Sequence, residues 1–184
     1  MVQIVNTSDQ RGRNLILIGF MGTGKTTIGK DVAKSLGFRF VDTDELICRK
    51  AGKSVPKIFE EDGEAAFRLI ETEILEEYGN MTDQVISTGG GIVTEKRNHI
   101  LLHQAGYVVW LKASPETIFD RVSRNKNRPL LQVDDPLQTI KEMLEGRMEL
   151  YDAIDDLSIN TDKLTLEEIA FGIVESVRVS LKLT

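Results

Sequence analysis

The sequence predicts an α/β fold in which a five-stranded parallel sheet is flanked by helices, and three observations lead to this prediction. Five short β-rich runs alternate with longer helical patterns along the chain. The runs are mostly apolar, which is typical of parallel strands covered on both faces. The first run leads directly into a glycine-rich turn and a helical pattern. Ligands of such sheets bind beyond the carboxyl ends of the strands, so we expect a site there.

Capping signals help to place the predicted elements. Ser114 followed by Pro115 is typical of an N-cap and the first position of a helix. Thr165 and Glu168 have the spacing of a capping box at the start of the last helix. The predicted strands are residues 15–18, 38–41, 85–87, 107–111 and 157–160, and the predicted helices are residues 25–36, 44–51, 63–78, 95–104, 115–123, 136–151 and about 165–181.

The composition is that of one ordinary domain without a membrane segment. The chain has 184 residues and a formal net charge of −6, which disfavours binding to nucleic acid or an anionic membrane. The single cysteine, Cys48, excludes a disulfide within the chain and fits a reducing cytoplasm. Residues 1–13 lack a signal-peptide pattern. We expect a flexible extension at residues 1–13, a single domain at residues 14–184, and a cytoplasmic monomer.

Residues 19–26, GFMGTGKT, match the phosphate-loop pattern G-x-x-x-x-G-K-[ST] between a predicted strand and a predicted helix. In such a loop, successive backbone N–H groups point at phosphate oxygens. Lys25 is expected to reach the β- and γ-phosphates, and the Thr26 hydroxyl to bind Mg²⁺. The alternative is a glycine-rich turn that binds nothing. The match of strand, lysine and hydroxyl favours the phosphate site.

Two aspartates follow the second predicted strand in VDTDELI. Asp42 and Asp44 could simply cap the next helix. On an extended chain, however, side chains two residues apart point the same way, so both would face the crevice beyond the sheet. In phosphoryl-transfer sites one carboxylate typically helps to hold the metal while another contacts the acceptor hydroxyl. We therefore expect Asp42 to act on the metal, through water, and Asp44 on the acceptor.

The third predicted strand ends in STGGG. Gly89, Gly90 and Gly91 could form a tight turn, or could offer backbone N–H groups to the acceptor. Arg147 lies in an otherwise apolar helical stripe, and an inward-facing charge needs a partner. Arg68 flanks another such stripe, although it could merely pair with Glu64 or Glu71 on the same helix. Because arginine suits a carboxylate bidentately, these residues indicate a small acceptor with an acid group and hydroxyls.

Basic residues crowd the stretch RVSRNKNRPLL. A solvated charge run or an RNA-contacting loop would explain Arg121, Arg124, Lys126 and Arg128, but the stretch has no aromatic residue for base stacking. A mobile lid at about residues 121–135 accounts for it better. Arg128, just before Pro129, is expected to reach the transferring phosphoryl group.

The motifs GFMGTGKTT, VDTDELI, IFEEDGEAAFR, STGGG, RNKNRPLL and EGRMELY, in that order, resemble the shikimate kinase family from about residue 14 to the last helix. The resemblance implies a P-loop nucleoside-monophosphate-kinase-like fold with a mobile lid. It also implies transfer of the γ-phosphate of ATP to the 3-hydroxyl of shikimate, with Mg²⁺, on the route to chorismate and the aromatic amino acids.

The resemblance also implies roles for individual residues. The positions matching shikimate contacts are Asp44, Arg68, Gly90 and Arg147, and those matching nucleotide contacts are Gly22, Thr23, Gly24, Lys25, Thr26, Thr27, Arg121 and Arg128. Among these, Arg121 matches a position against the adenine and Thr26 the metal ligand. Lys25, Asp44 and Arg128 are the expected catalytic residues. One position departs from the family pattern R-x-P-L-Y, because Glu149 stands where the proline would be.

Two rival functions remain open at this point. Another small-molecule kinase of the same fold, acting on gluconate or a nucleoside monophosphate, shares the phosphate loop. A nucleotide-dependent switch that binds a protein or RNA would also need that loop, together with a broad apolar or basic patch that the sequence does not show.

Overall fold

The computed structural model describes residues 11–123 and 133–183, which form an α/β domain around one parallel sheet. The five predicted strands are confirmed, and they are β1 Asn14–Ile18, β2 Arg39–Asp42, β3 Gln84–Ser87, β4 Gly106–Lys112 and β5 Leu157–Asn160. Their spatial order is β2-β3-β1-β4-β5. All four neighbouring pairs are parallel, which requires the helical crossovers that the sequence predicts.

Helices cover both faces of the sheet. They are α1 Lys25–Leu36, α2 Thr43–Ala51, α3 Val55–Glu61, α4 Gly63–Gly79, α5 Lys96–Ala105, α6 Pro115–Val122, α7 Pro136–Asp152 and α8 Leu166–Ser180, with a short 3₁₀ helix at Ile92–Thr94. The N-cap at Ser114 and the capping box of Thr165 and Glu168 are confirmed. Helix α3 and the 3₁₀ helix were not predicted, because seven and three residues are too few to show a helical period.

Alternating side chains of β1 divide the interior into two layers. Ile16 and Ile18 pack with residues of α2, α4, α5 and α7 on one face, and Leu15 and Leu17 pack with residues of α1 and α8 on the other. All four side chains are fully buried, as expected of a central parallel strand. The sheet is thereby held between two helical layers, which fixes its carboxyl edge.

The N-terminal boundary of the domain involves residues just before β1. Arg11 pairs with Asp156, the N–H of Gly12 donates to the carbonyl of Gln104, and the carbonyl of Arg13 accepts from the N–H of Asp83. Residues 11–13 of the predicted extension therefore contact the domain, while residues 1–10 lie outside the described residues. Within the described part of the chain, none of the helices combines the length and apolar character needed to span a bilayer.

The strand order brings three functional turns together. Register pairs Leu17 of β1 and Asp42 of β2 with Ser87 of β3, so these strands end side by side. The phosphate-loop sequence follows β1, the aspartates follow β2, and the three glycines follow β3. The candidate site therefore forms at one edge of the sheet.

Candidate active site

The phosphate loop joins β1 to α1 in the conformation its sequence predicts. Gly24 is the N-cap of α1 and has a φ of 93°, a left-handed conformation that glycine adopts without a steric penalty. The Lys25 ammonium donates to the carbonyls of Gly19 and Phe20 at 2.7 and 3.0 Å. The cation therefore lies within the curl of the loop, where the helix N-terminus also favours an anion. Thr26 and Thr27 are exposed in the first turn of α1.

Asp42 connects the phosphate loop to α2. Its Oδ2 accepts a hydrogen bond from the Thr26 hydroxyl at 3.0 Å, and its Oδ1 accepts one from the N–H of Asp44 at 3.1 Å. Asp42 is thus the N-cap of α2, and it also stands beside the loop hydroxyl. The expectation that Asp42 and Asp44 share an extended backbone is wrong, because α2 begins at Thr43 and Asp44 lies in its first turn.

Two side chains from α7 converge on the carbonyl of Gly90. The Arg147 guanidinium donates to this oxygen at 3.2 Å, and the buried Tyr151 hydroxyl donates to it at 2.5 Å. The guanidinium carbon of Arg147 lies 5.5 Å from the centre of the Phe20 ring, so the arginine also borders the phosphate loop. Helix α7 continues through Glu149 to Asp152, so the glutamate in place of the family's proline leaves the helix unbroken at Arg147.

Arg68 of α4 makes both of the pairings that its sequence position allows. Its guanidinium donates to Glu71 at 2.7 Å and to Glu64 at 3.0 Å. Arg68 and Glu71 are largely withdrawn from solvent, with side-chain exposures of 12% and 0%. A Cβ added to Gly91 would lie 2.3 Å from Nη2 of Arg68, so the guanidinium sits directly against the glycine turn. The ion pairs therefore hold Arg68 at the predicted acceptor pocket rather than away from it.

Gly89 lies between two acidic side chains. A Cβ added to Gly89 would lie 2.7 Å from Oε1 of Glu71 and 2.9 Å from Oδ1 of Asp44. The N–H of Gly89 donates to the Thr43 hydroxyl at 3.1 Å, so it is already engaged by α2. Burial raises the pKa of Glu71 to about 7, and the charge of Asp44 adds to this effect while Arg68 opposes it.

Arg121 bridges the phosphate loop and the loop after β5. Its guanidinium donates to the carbonyl of Gly22 at 3.2 Å, and to the Thr161 hydroxyl and carbonyl at 2.9 Å each. This position, beside the loop, is compatible with the predicted nucleotide contact. Arg128 and residues 124–132 of the predicted lid lie outside the described residues.

Sequence reasoning missed the full role of three residues at this edge. The sequence predicts Glu71 only as an ion-pair partner of Arg68, and it predicts no role for Tyr151 or Thr161. A signal existed for Glu71, because it lies four residues after Phe67 and three before Ile74, on the buried stripe of α4. The contacts of Tyr151 and Thr161 join distant parts of the chain, and no local pattern predicts them.

Known proteins resemble this chain over most of its length. A profile of the family described as shikimate kinase matches residues 21–178. The shikimate kinase of Thermodesulfovibrio yellowstonii is 47% identical over 163 residues, which cover 89% of this chain and 94% of that protein. The shikimate kinase of Geobacter sulfurreducens is 43% identical over 167 residues, which cover 91% and 92%.

A solved structure shares the fold at similar coverage. The shikimate kinase from Acinetobacter baumannii in complex with shikimate superimposes with a TM-score of 0.87 at 39% identity, covering 97% of this chain and 99% of that one. The family profile spans most of the chain, and the relatives are similar over nearly their whole length. The chain therefore belongs to the shikimate kinase family.

Proposed function

We propose that this protein transfers the γ-phosphate of ATP to the 3-hydroxyl of shikimate, giving shikimate 3-phosphate and ADP, on the route to chorismate and the aromatic amino acids. One observation carries the proposal for the site. The phosphate loop with Lys25 lies beside a glycine turn that is bordered by two guanidinium groups and one aspartate. This arrangement suits an organic acid with a hydroxyl facing a nucleotide.

The acceptor would be held at both ends. Arg68 and Arg147 border the glycine turn, and their planar guanidinium groups would bind the carboxylate of shikimate. Asp44, on the other side of Gly89, would accept a hydrogen bond from the 3-hydroxyl and take its proton as the oxygen attacks phosphorus. Holding the two reactants in this geometry supplies a large part of the rate in phosphoryl transfer.

Negative charge on the transferring group would meet cations of the loop and lid. Lys25 lies in the curl of the phosphate loop and would contact the β- and γ-phosphates. Arg128 is proposed to complete this set from the lid, and Arg121 to lie against the adenine. Both proposals rest on the family resemblance, with Arg121 supported by its contacts to Gly22 and Thr161.

The oxygen atoms of Thr26 and Asp42 fit a magnesium ion. A hydroxyl and a carboxylate 3.0 Å apart beside the phosphate loop form the small, hard donor set that Mg²⁺ uses when nucleotide phosphates and water complete its shell. Among the described residues, no three histidine, cysteine or acidic side chains are placed to hold a metal ion together. When bound, Mg²⁺ would neutralise phosphate charge, with Asp42 acting through water.

A coupled assay of ADP release tests the reaction. Shikimate is expected to stimulate ADP formation strongly, whereas gluconate and a panel of nucleoside monophosphates are not. Stimulation by gluconate or a nucleotide alone would point to the related small-molecule kinases. Slow hydrolysis unaffected by any of these acceptors would instead favour a nucleotide-dependent switch.

The role of Asp44 has its own test. Replacing Asp44 with alanine is expected to lower kcat by at least about 10²-fold through loss of the base and of hydroxyl orientation. Affinity for ATP should stay within about twofold, because Lys25 and the loop glycines are untouched. A variant with near-normal kcat would remove Asp44 from this role.

We also propose a cytoplasmic monomer that binds neither membranes nor nucleic acid. The net charge of −6 supports the last point, since an acidic chain repels polyanions unless it carries a local basic site. Light scattering coupled to size-exclusion chromatography gives the mass in solution. A mass near 20.6 kDa is expected, and twice that value would contradict the monomer.

A further inference from the structure

Glu71 is an acidic side chain buried at the edge of the acceptor pocket. Its side chain has no exposure to solvent, and its Oε2 accepts a hydrogen bond from Arg68 at 2.7 Å. Its Oε1 is buried and finds no hydrogen-bond partner among the described residues. A carboxylate oxygen left in this state is costly, whereas a neutral carboxyl group is much less so.

Oε1 of Glu71, which has no hydrogen-bond partner among the described residues, lies close to the carboxyl group of Asp44. Oε1 of Glu71 and Oδ1 of Asp44 lie 2.7 and 2.9 Å from the same point, the place that a Cβ on Gly89 would occupy. Their separation cannot exceed the sum of these two distances. Two negative charges this close, with one of them buried, repel each other, and the buried group yields first by taking a proton.

Charged groups from three helices act on Glu71. Arg68 lies on its own helix α4, Asp44 comes from α2, and Arg147 comes from α7, as does the neutral Tyr151 hydroxyl. Glu64, also on α4, pairs with Arg68 from an exposed position, where solvent screens its charge. The guanidinium groups of Arg68 and Arg147 are surrounded by three carboxyl groups, those of Asp44, Glu64 and Glu71 itself, and an incoming substrate carboxylate would add another negative charge. That carboxylate would also compete with Glu64 and Glu71 for the single guanidinium of Arg68.

We propose that shikimate binds to the form of the enzyme in which Glu71 is the neutral carboxylic acid, so that substrate binding takes up a proton from solvent. The proton adds to the Glu71 carboxylate, no other bond changes, and the guanidinium of Arg68 is freed to pair with the substrate. This inference rests on the proposed function, because it requires an anionic acceptor in this pocket. The enzyme's affinity for its acceptor is thereby linked to pH.

The pKa of Glu71 in the free protein is raised to about 7, and this value determines how many protons shikimate binding takes up at a given pH. At pH 7.5 about three quarters of the molecules carry the carboxylate, so binding takes up about three quarters of a proton, whereas at pH 6 it takes up about 0.1. Above pH 7 the Kd for shikimate should rise towards tenfold per pH unit. The Kd for ATP should not follow this trend, since the charges that act on Glu71 are those of the acceptor pocket, Arg68, Asp44 and Arg147.

Titration calorimetry of shikimate into the whole protein measures the proton directly. The binding enthalpy at pH 7.5 is recorded in buffers with different ionisation enthalpies, and its slope gives the number of protons taken up. Glu71→Gln is expected to bind shikimate with an uptake below about 0.2 proton. Glu64→Gln is the matched control, because Glu64 pairs with the same guanidinium from an exposed position, 65% accessible, and should leave the uptake unchanged.

The outcomes separate this inference from the proposed function. An absence of shikimate binding by the unaltered protein would contradict the function itself. Binding with no proton uptake, or uptake that persists in Glu71→Gln, would overturn the inference alone. If Glu71→Gln does not fold, infrared difference spectra of the unaltered protein decide the matter. Shikimate must then convert a carboxylate band into a carboxylic acid band, and failure to do so overturns the inference equally.

Discussion

The hydroxyl of Thr26 donates a hydrogen bond to the carboxylate of Asp42 across 3.0 Å, joining the first turn of α1 to the end of β2. The contact spans 16 residues in sequence, and it exists because β1 and β2 both lie next to β3 and end at the same edge. A hydroxyl and a carboxylate placed together in this way are suited to a hard divalent cation. The pair therefore supports a specific prediction about magnesium.

Asp42→Asn is expected to raise the Mg²⁺ concentration for half-maximal activity by about tenfold, as for other residues that orient a metal's ligands. Asparagine still caps α2, so the unfolding free energy should change little. Activity measured against free Mg²⁺ at saturating ATP tests this. Thr26→Ser, which keeps the hydroxyl, is the control and should retain the original requirement. An unchanged magnesium curve in Asp42→Asn would contradict the assignment.

Gly91→Ala is expected to raise the KM for shikimate by about tenfold or more, because the new methyl group would lie 2.3 Å from Nη2 of Arg68 and must displace the guanidinium. The KM for ATP should not change. Gly146→Ala in α7 is the matched control, since a Cβ there would have no atom of another described element within 4 Å, and helix propensity should even increase stability slightly. Equal effects of the two substitutions on shikimate would contradict the position of Arg68.

The sheet and the phosphate loop were predictable from sequence because both have local, periodic signals. Apolar runs defined all five strands, and the spacing of glycine, lysine and threonine defined the loop at residues 19–26. Helix α3 was missed because its seven residues, between Gly52 and Gly63, offer too short a period. Its place is set by packing of Ile58 into the core and by the ion pairs of Lys53 with Glu61 and Asp62.

The sequence predicts most of the individual residues of the candidate site, but it does not predict that one of its carboxyl groups, that of Glu71, is buried. The sequence indicated that Arg68 could pair with Glu64 or Glu71, and both pairs exist. It could not indicate that Glu71 is fully buried against Gly89, because that depends on how α4 meets the turn after β3. Long-range contacts of this kind carry no local pattern, and they raise the pKa of Glu71.

Arg147→Lys is expected to raise the KM for shikimate by about 10- to 100-fold while kcat falls less. Lysine keeps the charge, but it loses the planar fork that would bind a carboxylate bidentately, and it cannot stack against Phe20 in the same way. Steady-state kinetics in both substrates measure this, with Arg178→Lys on the exposed face of α8 as the control. A KM for shikimate within twofold of the original value would show that Arg147 does not hold the acceptor.

Glu71→Gln is expected to stabilise the free protein at pH 8 but not at pH 5. Burial raises the pKa of Glu71 to about 7 in the folded chain, whereas its ordinary value is 4.5. The folded state therefore holds the proton more tightly, and stability is lost as pH rises from about 4.5 to about 7. A shift of this size corresponds to at most about 3 kcal/mol.

Glutamine does not titrate. The difference in unfolding free energy between Glu71→Gln and the original protein should therefore grow between about pH 4.5 and about pH 7, and level off above pH 7. Urea titrations without ligand at both pH values measure the difference directly. The control, Glu64→Gln, should show none, because its carboxylate is exposed. A constant difference between pH 5 and pH 8 would mean that Glu71 keeps its charge in the fold, held by Arg68 alone.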